Sequence, residues 1–178
     1  MIIIAGLGNP GEEYEKTPHN AGFEAVDYLA KKNGFGEFEF DKFANALVSK
    51  KDYIAKDYVV LAKPQTFMNS SGLAIGKLVG RWQRTIGRLI VIHDDIDLPL
   101  GEFRVSKDKG SAGHKGVDSV IKELGTKDFT RIRIGICPDK KPKEVEKYVL
   151  KKFSRENKEK LAQVFEQISL TIASLFQN

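Results

Sequence analysis

Four polar residues of this 178-residue chain have the types that activate water: His19 and Asp94, with Asn9 and Asn69 as side-chain amides. A neutral imidazole can take a proton from water, and a carboxylate that accepts its second ring N–H orients it and stabilises the charge that develops. Amides nearby can donate to an oxyanion or hold a substrate. His19 is expected beside a helix N-terminus, where the positive end of the dipole keeps the ring neutral. Asp94 follows an apolar run and is expected at a strand end. Together they describe a water-activating hydrolase site. The competing reading is commoner for single residues of these types: caps, turn residues and satisfied surface groups.

Other chemistries have less support. Cys137 has no helix-start or histidine context to activate it, and "GSAGH" misses the Gly-x-Ser-x-Gly elbow. His93, Asp94, Asp95 and His114 follow no recognised metal-ligand spacing, so no metal is expected. Gly6, Gly8 and Gly11 match Gly-x-Gly-x-x-Gly, but the first helix is expected only from Thr17, and the position about 20 residues on falls inside it. A dinucleotide cofactor is not expected.

The elements that must position these groups alternate between strands and helices. Residues 2–7 read as a buried strand. A helix follows, with Thr17 as N-cap, Pro18 in its first turn and Asn33-Gly34 as its stop. Strands are expected over 46–49 and 58–62, the second ending at Lys63-Pro64. The next helix carries Gly72, Gly76 and Gly80 on one face, which is expected to pack against the sheet. Strands over 88–92, 103–106 and 131–136, a short helix over 116–124, another over 142–153 and a final amphipathic helix capped by Ser154 complete the chain. The fold class is α/β, a single domain with a twisted mixed sheet flanked by helices. Functional groups of such sheets collect outside the carboxyl ends of the strands, so Asn9 and Asp94 can share one cleft.

Size and composition fit one domain with a real core. A single cysteine precludes an internal disulfide and fits a reducing, cytoplasmic setting, and no stretch reads as a membrane span. Residues 1–100 carry 12 Lys+Arg against 13 Asp+Glu, whereas residues 101–178 carry 17 against 11. That asymmetry suits a polyanion lying across one side, although lysine-rich solvated helices give the same count.

Five stretches, in order, resemble the motifs of bacterial-type peptidyl-tRNA hydrolases: "GLGNPGEEYEKTPHNAGF", "KPQTFMNSSG", "HDDIDLPLGEFR", "GSAGHKG" and "FTRIRIGI". The resemblance covers nearly the whole chain. It implies hydrolysis of the ester between a peptide, or an N-blocked amino acid, and the 3′ end of a tRNA, by a monomer needing no cofactor or metal. His19 is then the general base and Asp94 its partner. Asn9 corresponds to the residue that tells blocked from unblocked substrate, and Tyr14, Phe67, Met68 and Asn69 to residues holding the substrate's end. Aromatic and thioether groups suit packing on an unstacked base or a peptide. Lys107, Lys109, Arg131 and Arg133 are expected to meet acceptor-arm phosphates, contacts that position without specifying. Residues 138–153 resemble the family's lid, followed by a C-terminal helix over 154–177.

Two departures bear on substrate binding. Where the family commonly has Gly-Gly-His-Asn-Gly, this chain has Gly113-His114-Lys115-Gly116, and Ser106 stands where Arg or Lys is frequent. Lysine donates but cannot accept, so Lys115 can hold an anion but cannot replace the two-way bonding of an amide. His114 either touches substrate or supports its loop. The main rival reading is a relative that binds RNA without cleaving it.

Overall fold

The computed structural model describes residues 1–52, 58–81 and 88–175. Seven strands form one mixed sheet: β1 (Ile2–Gly6), β2 (Glu39–Asp41), β3 (Ala46–Asp52), β4 (Tyr58–Pro64), β5 (Leu89–Pro99), β6 (Phe103–Lys107) and β7 (Thr130–Cys137), in the spatial order β2-β3-β4-β1-β5-β7-β6. β4, β1, β5 and β7 are parallel, whereas β2, β3 and β6 add antiparallel edges. The parallel centre is covered on both sides, which is why its strands read as continuous apolar runs.

Side-chain alternation splits the core in two. Ile2, Ile4, Ile90, Ile92, Ile132 and Ile134 face α1 (Ala21–Lys32) and α5 (Arg155–Leu175). Ile3, Ala5, Val60, Leu89 and Val91 face α2 (Ser71–Arg81) and α3 (Lys115–Leu124). On α5, Leu161, Val164, Phe165, Ile168 and Ile172 recur at helical spacing and are all buried. Ser154 caps that helix, its Oγ accepting from Asn157 N at 3.2 Å; its expected last residues, from Phe176 on, lie outside the described ones.

Several expectations are corrected. Thr17 precedes the first helix, but its hydroxyl donates to Tyr14 O, and the chain passes through a 3₁₀ turn, Pro18–Asn20, before α1 begins. β4 does end at Lys63-Pro64 as expected, although the proline is itself its last paired residue, opposite Ala46, and the short edge strand β2 was not expected. The glycine face of α2 meets α3 and not the sheet: a Cβ on Gly72 would stand 2.2 Å from Ser119 O, whereas one on Gly80 would meet nothing within 4 Å among the described residues. Gly6 serves packing as well, because a Cβ there would lie 2.1 Å from Gly22 O of α1. β5 does not end at Ile92 but runs through His93, Asp94 and Asp95 to Pro99. Only α4 (Val145–Tyr148) of the helix expected over 142–153 forms. The backbone around it bonds elsewhere: Val149 O accepts from His19 N, and Phe153 N donates to Lys16 O.

Candidate active site

The site arises from a difference in strand length. β1 pairs with β5 only as far as Gly6 opposite Ile92, while β5 continues alongside β7 with Asp94 opposite Ile134. Beyond Gly6 the two strands part, and a crevice opens outside the carboxyl end of β1, beside the continuing β5. A cavity of about 520 Å³ fills it, lined among others by Asn9, His19, Met68, Asn69, Asp94 and His114.

His19 reaches Asp94 from the 3₁₀ turn, its Nδ1 lying 3.0 Å from both carboxylate oxygens. His114 reaches it from the N-cap of α3, with Nε2 2.8 Å from Oδ1. The protons can be assigned from the partners. His114 Nδ1 accepts from Gly116 N and Val117 N, both at 3.2 Å, so its proton sits on Nε2 and is donated to Asp94. His19 Nδ1–H donates to the same carboxylate, leaving the lone pair of Nε2 as the ring's basic site at the cavity.

Electrostatics follow from this arrangement. Burial by itself would raise the Asp94 carboxyl, but His19 and His114, by charge and hydrogen bond, outweigh it and hold the group well below the usual carboxylate range. For His19, burial disfavours the charged ring; the Asp94 carboxylate outweighs burial, Lys115 opposes it, and the ring titrates above its ordinary value. This revises the expectation from the helix dipole: the carboxylate dominates. Behind them, burial and then the neighbouring His114 push His93 far down, so its ring stays neutral, with Nδ1–H donating to Asp94 O at 2.7 Å.

Asn9 is fixed on both sides. Its backbone N–H donates to Asn20 Oδ1 and its carbonyl accepts from Asn20 Nδ2, each at 2.9 Å, while its Oδ1 accepts from Met68 N at 2.8 Å. The acceptor end of the amide is thereby used, and its NH₂ is the end left to donate. Asn20 was missed in the sequence, where it reads as a loop residue after His19. Asn69 lines the cavity, Met68 is buried against Gly116, and Phe67 stands 58% exposed at the rim with Tyr14 edge-on at 6.3 Å between ring centroids.

The expected basic contacts divide. Lys115 lines the cavity and donates to Glu146 at 2.8 Å. Lys107 pairs with Asp128 on the surface, Lys109 is exposed beyond β6, and Arg133 Nε donates to Asp95 at 2.6 Å. Arg131 departs from the expectation of a surface phosphate contact, because it is only 3% exposed, inside the sheet face. Burial, reinforced by Arg133, lowers its affinity for a proton.

Ligand-type atoms of His19, Asp94 and His114 all lie within 4.8 Å of one another. Metal ligation through His114 Nε2 would require that nitrogen to lose its proton while Nδ1 still serves the α3 amides, which a neutral imidazole cannot do. Those residues fit a shared-proton network better than a metal. Among the described residues no helix is long and apolar enough to cross a membrane.

Residues 3–178 match the sequence pattern of the peptidyl-tRNA hydrolase family. A peptidyl-tRNA hydrolase of Aquifex aeolicus is 45% identical over 93% of this chain and 84% of its own length. One of Thermodesulfovibrio yellowstonii is 43% identical over 98% and 90%. The crystal structure of peptidyl-tRNA hydrolase from Acinetobacter baumannii superposes with a TM-score of 0.91 at 30% identity, covering 99% of this chain and 89% of that one. On the strength of these matches, and with the α/β fold in common, the chain belongs to the peptidyl-tRNA hydrolase family.

Proposed function

We propose that this chain hydrolyses the ester between the peptide, or an N-blocked amino acid, and the 3′-terminal ribose of a tRNA, with His19 as general base and Asp94 as its partner. The observation that carries the mechanism is the donation of His19 Nδ1–H to a buried carboxylate, which leaves Nε2 basic at the cavity. Nε2 takes a proton from a water that attacks the ester carbonyl, and Asp94 stabilises the imidazolium formed. The tetrahedral intermediate then collapses, and the imidazolium returns the proton to the departing ribose oxygen. The products are a peptide with a free carboxylate and a tRNA with a free 3′ end.

The NH₂ of Asn9, with the amide of Asn69, is suited to bonding the substrate's peptide carbonyl or the developing oxyanion. Tyr14, Phe67 and Met68 offer the apolar surface for the terminal base or the peptide. Lys107, Lys109 and Arg133 are the candidates for acceptor-arm phosphates, Arg133 by exchanging Asp95 for phosphate. Residues 138–153, which carry Val145, Glu146, Val149 and Leu150 along the cavity, act as a lid. The same reading has the protein act as a cytoplasmic monomer without metal or other cofactor.

The experiment is hydrolysis of an N-acetylated aminoacyl-tRNA by the wild type and by His19→Ala. Turnover by the wild type, with a loss of roughly 10²-fold or more in the variant, is expected. Equal rates would overturn the assignment of the base, and wild-type tRNA binding without turnover would favour the RNA-binding reading.

A further inference from the structure

Lys115 is the single Lys or Arg along the cavity among the described residues. It opens α3, and Glu146 belongs to α4. Both line the cavity, and their 2.8 Å bond joins the two helices. The other three carboxylates of the cavity have partners of their own: Asp94 has the two histidines, Asp95 has Arg133, and Asp97 has Lys141. Glu146 alone is spent on Lys115.

Both side chains are largely solvent-exposed, 66% for Lys115 and 84% for Glu146. An ion pair so placed contributes little to folding. What the carboxylate does is occupy the cation with an anion. Lys115 also borders a second groove, of about 460 Å³, which runs between the turn Met68–Ser70 with α2 on one side and α3 on the other and includes Asn69, Ser119 and Lys122. A strand passing from that groove into the cleft would cross the ammonium.

We propose that Lys115 is the subsite for the phosphodiester next to the substrate's 3′-terminal nucleoside, and that Glu146 is its internal competitor. This rests on the proposed function, and names the group Lys115 meets there. A phosphodiester has the single negative charge of the carboxylate and, like it, two oxygens to accept from the ammonium. The exchange therefore conserves charge at Lys115 and releases the α4 side of the cleft. Because the contact lies away from the bond that breaks, it acts on ground state and transition state alike, and so on KM and not kcat.

The test uses the full chain and two probes that require no turnover: adenosine, without a phosphate, and cytidylyl-(3′→5′)-adenosine, with one phosphodiester. Isothermal titration at low salt is expected to show Glu146→Gln binding the dinucleotide roughly two- to fivefold more tightly than wild type, the range an exposed ion pair commands. Adenosine affinity should not change, and Lys115→Asn should abolish the gain when combined with Glu146→Gln. With N-acetylated aminoacyl-tRNA, Glu146→Gln should lower KM at constant kcat. Unchanged dinucleotide affinity in Glu146→Gln, or an equal gain for adenosine, overturns the subsite. A wild type that binds the dinucleotide as described but turns over no ester would overturn the functional reading and leave the subsite standing.

Discussion

His114 Nε2 lies 2.8 Å from Oδ1 of Asp94, nearer than the 3.0 Å of His19 Nδ1, and the two imidazole centroids are 5.2 Å apart. One carboxylate is thus shared by two rings that are not equivalent. The lone pair of His114 is committed to the amides of α3, so that ring is a fixed donor. His19 keeps a free lone pair and is the ring that can accept a proton. Removing the His114 donor leaves more of the carboxylate's charge to His19. His114→Ala is therefore expected to shift the acid limb of the kcat/KM profile upward, and to cost stability, about 1 kcal/mol for the lost cap with a further 1.5–3 kcal/mol for the charged bond. A pH–rate profile and thermal unfolding check both; an unshifted limb would show that Asp94 acts on His19 alone.

Asp94→Asn removes the charge that holds His19 above its ordinary value. The base must be neutral to act, so activity falls as pH drops through the His19 pKa. In the variant that limb should move to lower pH, while the plateau rate falls by roughly 10²- to 10⁴-fold, the scale of losing an orienting carboxylate. An acid limb that stays put would assign it to another group.

Glu24 is the carboxylate most disfavoured by its surroundings: burial, helped by Asp27 and opposed by Lys158 and Lys16, pushes it up to about 7 from 4.5. Its Oε1 is buried with no hydrogen-bond partner among the described residues. Between those two values the folded state binds more protons than the unfolded, so stability falls as pH rises and levels off above about 7. Glu24→Gln should be more stable than wild type at pH 8, by on the order of 2–3 kcal/mol, and nearly equal at pH 4. Denaturant unfolding at the two pH values measures this, and a pH-independent difference would count against burial as the cause.

Gly72 and Gly80 share a helical face but not an environment. At Gly72 a methyl group would collide with the Ser119 carbonyl, and Gly72→Ala is expected to lose roughly 1–3 kcal/mol by forcing α2 and α3 apart. At Gly80, where space is open, the same change should gain about 0.5–1 kcal/mol of helix propensity. Equal effects on the unfolding midpoint would mean that the close approach of the two helices is not limiting.

The alternation of apolar strands and amphipathic helices was readable because period and burial coincide: β1, β7 and α5 are apolar where the core requires it. The pairing of His19 with Asp94 was readable from the chemistry of a histidine near a helix start with a carboxylate at a strand end, and from the family resemblance, while the strand ends of Asn9 and Asp94 pointed to one cleft. What escaped were features set by tertiary partners. Asn20 bonds backbone groups of another segment, and His114, named in the sequence with its role left open between substrate and loop, bonds a helix start and Asp94; nothing local distinguishes either from a turn residue. The glycine face of α2 gave its need for close approach but not the partner, since a bare face serves a sheet or a helix equally. The expected helix over 142–153 failed where its backbone was claimed by the 3₁₀ turn carrying His19. Arg131 looked like its neighbour Arg133, although the first is buried and the second stays within reach of solvent, a difference no local feature of β7 announces.

Asp94 sits in the interior of a ladder, and His19 on a short turn whose histidine amide is tied to Val149 of the neighbouring segment. Amide hydrogens along β5 should exchange with solvent only when the whole domain opens, whereas the turn is held by the His19 N–H to Val149 O bond and the two bonds between Asn20 and Asn9, and should exchange when those open. The two members of the proposed catalytic pair are thus held differently, the carboxylate by an interior ladder and the imidazole by a turn pinned to two other segments. Amide exchange at His19 as slow as that along β5 would show that the pair opens as one unit.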